Sequence, residues 1–344
     1  MARRTEVSFA TFNLYNINLP GLRMYNDPDG WDQAAYDKKV AWTGAMLRAM
    51  NADVWGFQEL WHEQALEDVF AAAGLREEYE LVIPADHAGE RIVCGGAVRK
   101  GILEGEPEWI TSFPDRFLLQ SSGDDPQTSE ISVSIDQFSR PPLHFTVRPR
   151  AKGDPISVYV AHLKSKAPAK VYEEAWYRQD KTFYGRHGTA LGSALATIRR
   201  TAEAAALRML LTEEMKDNEN PVVVLGDLND GQHSNTLNLL TGQPNYLLSG
   251  LSKGGSDTAF YTVGMLQEYR SLRSVYYTHI HQNMRESLDH ILVSQEFYDN
   301  SRKRQWAFKG MIVNNDHLND EEHKETGTSD HGVVRATFEY RPAR

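Results

Sequence analysis

Pro221-Val222-Val223-Val224-Leu225-Gly226-Asp227-Leu228-Asn229-Asp230 is the stretch on which the reading of the fold turns. Val222 to Leu225 are apolar and three of these four residues are β-branched, the pattern of a strand buried on both faces. Gly226 breaks the run, and Asp227 and Asn229 follow it. Residues two apart on an extended chain point the same way. The strand therefore delivers a carboxylate and a carboxamide side by side at the lip of a buried sheet. The carboxylate can hold a cation or orient a water, and the amide can donate to an anionic oxygen. Gly, Asp and Asn are also common turn residues, so this stretch alone equally describes an ordinary strand-to-turn junction.

The same arrangement recurs along the chain. Glu6 to Asn13 alternates apolar and polar residues and ends in an amide. Ala52 to Leu60 is a second apolar strand, finishing at Glu59. Leu143 to Val147 and Ile156 to Leu163 form a pair across a Pro/Gly turn, and the second reaches His162-Leu163-Lys164-Ser165-Lys166. Ser287 to Ser294 carries Asp289 and His290 near its start, and Ser329-Asp330-His331-Gly332 opens the last strand, Val333 to Tyr340. Leu81 to Pro84, Gly96 to Arg99 and Ile131 to Asp136 read as further strands. Helices are expected from Trp31 to Met50, over residues 62–73 and from Ala194 to Met215. Asn16 to Gly30, Asp86 to Arg91, Ser121 to Thr128, Gly250 to Ser256 and the acidic Asn314 to Thr328 read as loops or turns. Strands and helices interleave with no repeat, low-complexity tract or linker, so residues 1–344 read as a single α/β domain.

Composition limits the function classes. No apolar run approaches the roughly 20 residues that span a bilayer. The basic N-terminus is not followed by an apolar segment, so no secretory signal is read. Cys94 is the only cysteine, which excludes an internal disulfide and the usual zinc-thiolate sites. A cytoplasmic location is the expectation, and no protein partner is evident. The net charge of −10 argues against tight, non-specific binding of long duplex DNA, though not against a local basic groove.

The polar strand ends, collected in order, are Asn13, Glu59, His162, Asp227, Asn229, Asp289, Asp330 and His331. With their neighbours they form Thr11-Phe12-Asn13, Gly56-Phe57-Gln58-Glu59, His162-Leu163-Lys164, Gly226-Asp227-Leu228-Asn229, Leu288-Asp289-His290-Ile291-Leu292 and Ser329-Asp330-His331. In this order they resemble the endonuclease/exonuclease/phosphatase superfamily, the fold of deoxyribonuclease-like nucleases, sphingomyelinases and inositol polyphosphate 5-phosphatases. The resemblance implies a four-layer α/β sandwich, with two mixed β-sheets face to face, helices outside and the site at one end. It also implies roles. Glu59 would be the main ligand of Mg²⁺ or Mn²⁺, with Asn13 helping to hold metal or phosphate and Asp330 a second metal-side or water-orienting carboxylate. Asp227 would activate the water, Asn229 would donate to the scissile phosphate, and Asp289 with His331 would form a carboxylate–imidazole pair. His162 would contact phosphate or assist the leaving group. The chemistry agrees: a hard dication held by oxygen ligands, and imidazole donors beside it, neutralise the charge that develops in phosphodiester cleavage.

Substrate stays open. A metal-dependent nuclease acting on DNA is the first reading, and hydrolysis of a small-molecule or lipid-derived phosphate is the second. A binding scaffold without activity is the third, disfavoured because the acidic and imidazole set is intact. His162-Leu163-Lys164 stands where abasic-site endonucleases of the superfamily carry a tyrosine-bearing motif. Lys164 and Lys166 either bind phosphate or solvate a loop. Arg140 either reaches the site or is an edge-strand charge. Ser165 to Ser193 interleaves aromatic and basic residues, and Trp176, Arg178, Tyr184 and Arg186 are its candidate substrate contacts. The other reading of this segment is a surface excursion whose aromatics pack on the sandwich. Asp316, His317 and His323 read better as a solvated acidic loop than as a second metal site, and Arg199 and Arg200 as a solvated helix face.

Overall fold

The Val222–Asp227 strand lies third in a six-stranded sheet, beneath a second sheet of the same size. The structure is a computed structural model describing residues 5–25, 27–123, 126–243, 255–271, 276–281, 283–319 and 322–343. The strand order in its sheet is Tyr261–Thr262, Asp289–Val293, Val222–Asp227, Ile156–His162, Leu143–Val147, Leu103–Trp109. The other sheet runs Trp306–Asn314, Val333–Tyr340, Glu6–Ile17, Val54–His62, Ala88–Arg99, Tyr79–Val82. Both sheets mix parallel and antiparallel pairs.

Four layers follow from where the apolar side chains go. Phe9, Val54 and Val98 from one sheet meet Val158, Val160, Val223, Leu225 and Ile291 from the other in a core between them. On the outer face of the first sheet, Phe12, Trp55 and Phe57 pack with Leu47, Leu66, Val69 and Phe70 of the helices Gln33–Met50 and Glu63–Ala72. On the outer face of the second, Tyr159, Val222 and Val224 pack with Ala204, Leu207 and Leu211 of the Gly188–Met215 helix. The expected four-layer sandwich is the fold observed.

Register places the chemistry. Asp227 is aligned with His162 on its parallel neighbour and with Asp289 on its antiparallel neighbour. Three adjacent strands thus end in one row of polar side chains. Gly226 makes this row possible, since a Cβ there would lie 2.1 Å from the Ala161 carbonyl oxygen. Any side chain would push the two strands apart just below the site. Gly56 serves the interior in the same way, because its Cβ would stand 2.9 Å from Leu225 Cβ on the opposing sheet.

Several expectations shift. Asp86 to Arg91 is not all loop, because the Ala88–Arg99 strand runs through it and pairs Ala88 with His62. Its first residues are polar because the strand extends beyond the core. Ile131 to Asp136 forms only a two-residue strand at Ile131–Ser132, opposite Gln120–Ser121, while Val133 and Ile135 pack instead against the third apolar cluster. The long helix starts at Gly188, six residues before the Ala194 expected from sequence. Trp306–Asn314 is an unforeseen strand, its pattern interrupted by a register shift between Phe308 and Gly310. Met1 to Arg4, most of the Gly250–Ser256 turn and residues 320–321 of the acidic loop lie outside the described residues.

Candidate active site

Asp227 Oδ2 is the point on which the site converges. Asn13 Nδ2 donates to it at 3.1 Å. His162 Nε2 stands 3.5 Å from it and His331 Nε2 3.7 Å. The other oxygen, Oδ1, accepts the Asn229 backbone N–H at 2.9 Å. These residues come from both sheets and from the Ser329–Gly332 loop, and Asn13, His162, Asp227, Asn229, Asp289 and His331 are all buried. Seven of the eight strand-end candidates are linked by these contacts and those that follow. Asp330, the eighth, belongs to the same cluster through His331.

The backbone is bent to make this convergence. Glu59 has φ +60° and Asn229 φ +55°, left-handed conformations that are uncommon for residues other than glycine. Each costs on the order of 1–3 kcal/mol and persists only where the surroundings enforce it. At Glu59 the pairing of Val54–His62 with its neighbour slips between Phe57 and Leu60. Such an irregularity re-aims a side chain. The Glu59 carboxylate accepts the Asn16 backbone N–H at Oε2 (3.0 Å), and Oε1 lies 3.9 Å from His162 Nε2.

The expected Asp289–His331 pair is present: His331 Nδ1 donates to Asp289 Oδ2 at 2.8 Å. Thr278 supports it by accepting the backbone N–H groups of Leu288 and Asp289 at Oγ1 (3.0 and 3.1 Å). Ser329 Oγ donates to the Asn13 carbonyl and accepts the His331 N–H, tying the last loop to the first strand.

Burial and neighbouring charge drive the two imidazoles apart. Burial disfavours the charged form of His331, but Asp289 and Asp227 together outweigh it and hold the ring well above the usual histidine range. Burial, reinforced by Arg140 and His331, pushes His162 well below that range. One ring is a cation and the other is neutral. Asp227 is raised to about 7, chiefly by burial, and Glu59 is raised by burial and by Asp330.

The side chains fit a hard dication. Asp289 Oδ1 and Asp330 Oδ1 are buried without a hydrogen-bond partner. Asp330 groups with His279 and His331, and Asp227 with Asp289 and His331, each set offering ligand atoms within 4.8 Å of one another. His331 gives Nδ1–H to Asp289, and its Nε2 is protonated while the ring is charged, so oxygen atoms are the suitable ligands. The expected trio of Asn13, Glu59 and Asp330 is not one of these two sets, and Asn13 instead donates to Asp227 while Glu59 accepts the Asn16 N–H. A dication there favours the charged forms of Asp227 and Glu59, which burial holds toward protonation, and must displace the protons they carry. Titrating weakly buffered protein near pH 7 with Mg²⁺ or Mn²⁺ should therefore release protons. Apparent affinity should rise as pH passes through about 7 and flatten only well above it, where Asp227 is fully ionised.

The remaining candidates divide. Arg140 lines a cavity of about 940 Å³ beside the site and donates to the Leu163 carbonyl at 3.2 Å. Lys164 lines the same cavity, while its Nζ folds back onto Ser165 and the Ala167 carbonyl. Asn229 Nδ2 already donates to the Leu163 carbonyl at 3.0 Å, leaving its second N–H for substrate. Trp176, Arg178, Tyr184 and Arg186 do not line this cavity. Trp176 and Tyr184 stand edge to face at 4.9 Å, Tyr184 also meets Tyr177 and Phe183, and Arg178 donates to the Tyr172 carbonyl. His290 is structural, its Nε2 donating to the Asp230 carbonyl at 2.9 Å. His317 donates to the His331 carbonyl and His323 pairs with Thr328, so both brace the acidic loop.

Arg200 corrects an expectation. It is buried, with Nε 3.5 Å from Asp230 Oδ2 and Nη1 donating to the Lys164 carbonyl. Glu203, one turn on, accepts the N–H groups of Ser139 and Lys164. Lys39 was also missed. Wholly buried, it donates to the Thr328 carbonyl at 2.8 Å between the rings of Tyr15 and Trp42. His279 is a further unforeseen neighbour, its ring 5.1 Å from that of His331.

A family model described as "Endonuclease/Exonuclease/phosphatase family" matches residues 10–331. No curated protein sequence matches the chain. Among solved structures, the human Nocturnin catalytic domain with bound sulfate is similar at 13% identity and TM-score 0.55, over 98% of this chain and 96% of that one. D. rerio TDP2 complexed with a single strand DNA product is similar at 15% identity and TM-score 0.54, over 97% and 99%. A mannosyl-6-phosphatase of Bacteroides thetaiotaomicron is similar at 14% identity and TM-score 0.51, over 97% and 100%. At these identities the likeness concerns the fold.

Proposed function

The chain belongs to the endonuclease/exonuclease/phosphatase family, and from that premise we propose that it is a Mg²⁺- or Mn²⁺-dependent phosphodiester hydrolase. The convergence of Asn13, His162 and His331 on Asp227 Oδ2 carries this reading. A carboxylate raised to about 7 by burial is matched to taking a proton from water near neutral pH. The cationic His331, locked by Asp289, presents Nε2–H as a charged donor to a phosphoryl oxygen. Neutral His162 offers its Nε2 nitrogen on the other side of Asp227, where it can contact phosphate or the leaving oxygen. The free N–H of Asn229 is a third donor. Glu59, Asn13 and Asp330 would hold the dication, which when bound neutralises charge on the phosphate oxygens.

A nuclease acting on DNA is the first substrate reading, supported by the order of the site motifs along the chain. Hydrolysis of smaller phosphates is the second, favoured by the net charge of −10 and by the concave pocket beside the site. No helix among the described residues is long and apolar enough to cross a membrane. Purified protein should be assayed with each metal against plasmid, single-stranded DNA, RNA, bis-p-nitrophenyl phosphate and p-nitrophenyl phosphate. Cleavage of the diesters, with the monoester left largely intact, is expected. Turnover of the monoester alone would contradict a phosphodiesterase.

A further inference from the structure

The cavity beside the site carries charge that the catalytic set does not use. Arg23, Arg91, Arg140 and Lys164 line it, against the single carboxylate of Glu90. In a chain with a net charge of −10, this is a local reversal of sign. The guanidiniums are not spent on carboxylates. The Arg91 side chain is exposed and makes no hydrogen bond or ion pair among the described residues. Arg23 uses only Nε, donating to the Tyr25 carbonyl at 3.0 Å. Forked donors left open toward one concave space suit a phosphate group.

Aromatic surface stands beside the cations. Tyr25 is 53% exposed and lines the cavity edge to face with Trp61, their centroids 5.0 Å apart. Trp61 is itself fixed, its Nε1 donating to Asn16 Oδ1, while the Asn16 N–H donates to Glu59. The ring wall is thus two hydrogen bonds away from the candidate metal ligand. Arg140 is near enough to Glu59 and His162 for its charge to act on both. A ligand held against this wall would thus lie beside the Glu59 and His162 end of the site. The volume of about 940 Å³ is that of a small-molecule site.

We propose that this cavity is a subsite for a nucleotide unit, taking a second phosphate on Arg23 and Arg91 and a flat base on Tyr25, next to the phosphodiester being cleaved. The substrate class is then a short, phosphate-bearing nucleotide diester rather than a long duplex. This narrows the phosphodiesterase reading and rests on it, but the subsite can be tested without turnover.

Calorimetric binding in EDTA, with adenosine 5′-monophosphate, adenosine and inorganic phosphate as probes, isolates the cavity from the metal. Adenosine 5′-monophosphate should bind at least about tenfold more tightly than either fragment, and the Arg23→Gln/Arg91→Gln protein should lose that advantage. Both residues are exposed side chains, so the variant should fold. Equal affinity for all three probes would overturn the subsite, as would an unchanged advantage in the variant. If a longer single-stranded oligonucleotide bound about tenfold more tightly than a 5′-phosphorylated dinucleotide, with that gap unaltered in the variant, recognition would lie along a strand track elsewhere and the proposal would fail. Nucleotide binding with no metal-stimulated cleavage of any diester would leave the subsite standing and remove the phosphodiesterase. Cleavage without nucleotide binding would do the reverse.

Discussion

His331→Ala should lower kcat on bis-p-nitrophenyl phosphate by about 10²–10⁴-fold, the range for loss of a positioned proton donor. Two carboxylates hold His331 charged against its burial, and its Nδ1–H is committed to Asp289 at 2.8 Å. That leaves Nε2 as the only nitrogen free to meet substrate. Asp289→Asn should give the same kind of loss or a milder one, because the amide keeps the shape but not the charge that sustains the imidazolium. In both variants KM should change less than kcat, since the interaction strengthens as charge develops on the phosphate. Near-normal kcat/KM in His331→Ala would mean that the pair does not act on substrate.

Asp227→Asn should be at least as damaging, by about 10³–10⁴-fold in kcat. An amide cannot take a proton from water. It would also point its nitrogen either at the Asn229 N–H, which donates to Oδ1, or at Asn13 Nδ2, which donates to Oδ2. Stability should respond differently. The folded-state value of Asp227 is raised to about 7 from an unfolded value of 3.8. The buried carboxyl therefore favours folding fully below pH 3.8, and this advantage is lost as pH rises through about 7. At about pH 8, without metal, the wild-type fold bears the desolvation cost of the carboxylate, which offsets the amide's mismatched hydrogen bond, so Asp227→Asn should melt close to the wild type. A large fall in Tm together with the lost activity would show that Asp227 holds up the fold rather than serving the chemistry.

The parts of this site that sequence revealed are those written on strands. Apolar runs marked the strands, and each run named its terminal polar residue. Register then brought His162, Asp227 and Asp289 into one row. The left-handed backbone at Glu59 could not be read, because nothing in Phe57-Gln58-Glu59-Leu60 announces a slipped pairing. Helical residues were the systematic loss. Lys39, Arg200 and Glu203 are charged and sit on helices, and a periodicity argument assigns such residues to solvent. All three are buried because loops from distant parts of the chain close over them: Thr328 over Lys39, and Lys164 over Arg200 and Glu203. His279 failed for a related reason. It lies in a short hairpin, His279–His281 with Met284–Glu286, that has no apolar pattern and meets His331 only in three dimensions. The aromatic segment after His162 misled through composition. Its rings satisfy one another at 4.9–5.1 Å, while the rings that line the cavity beside the site, Tyr25, Trp61 and Phe138, come from elsewhere in the chain.

On the proposed function, the buried carboxylates and imidazoles around Asp227 form a phosphodiesterase centre completed by a divalent cation. Bis-p-nitrophenyl phosphate turnover, measured after exhaustive treatment with EDTA and then during stepwise return of Mg²⁺ or Mn²⁺, tests it most directly. No measurable turnover is expected in chelator, with recovery that saturates with either metal, and with Asp227→Asn regaining at most about 10⁻³ of the wild-type rate at any metal concentration. Undiminished turnover in EDTA would contradict it.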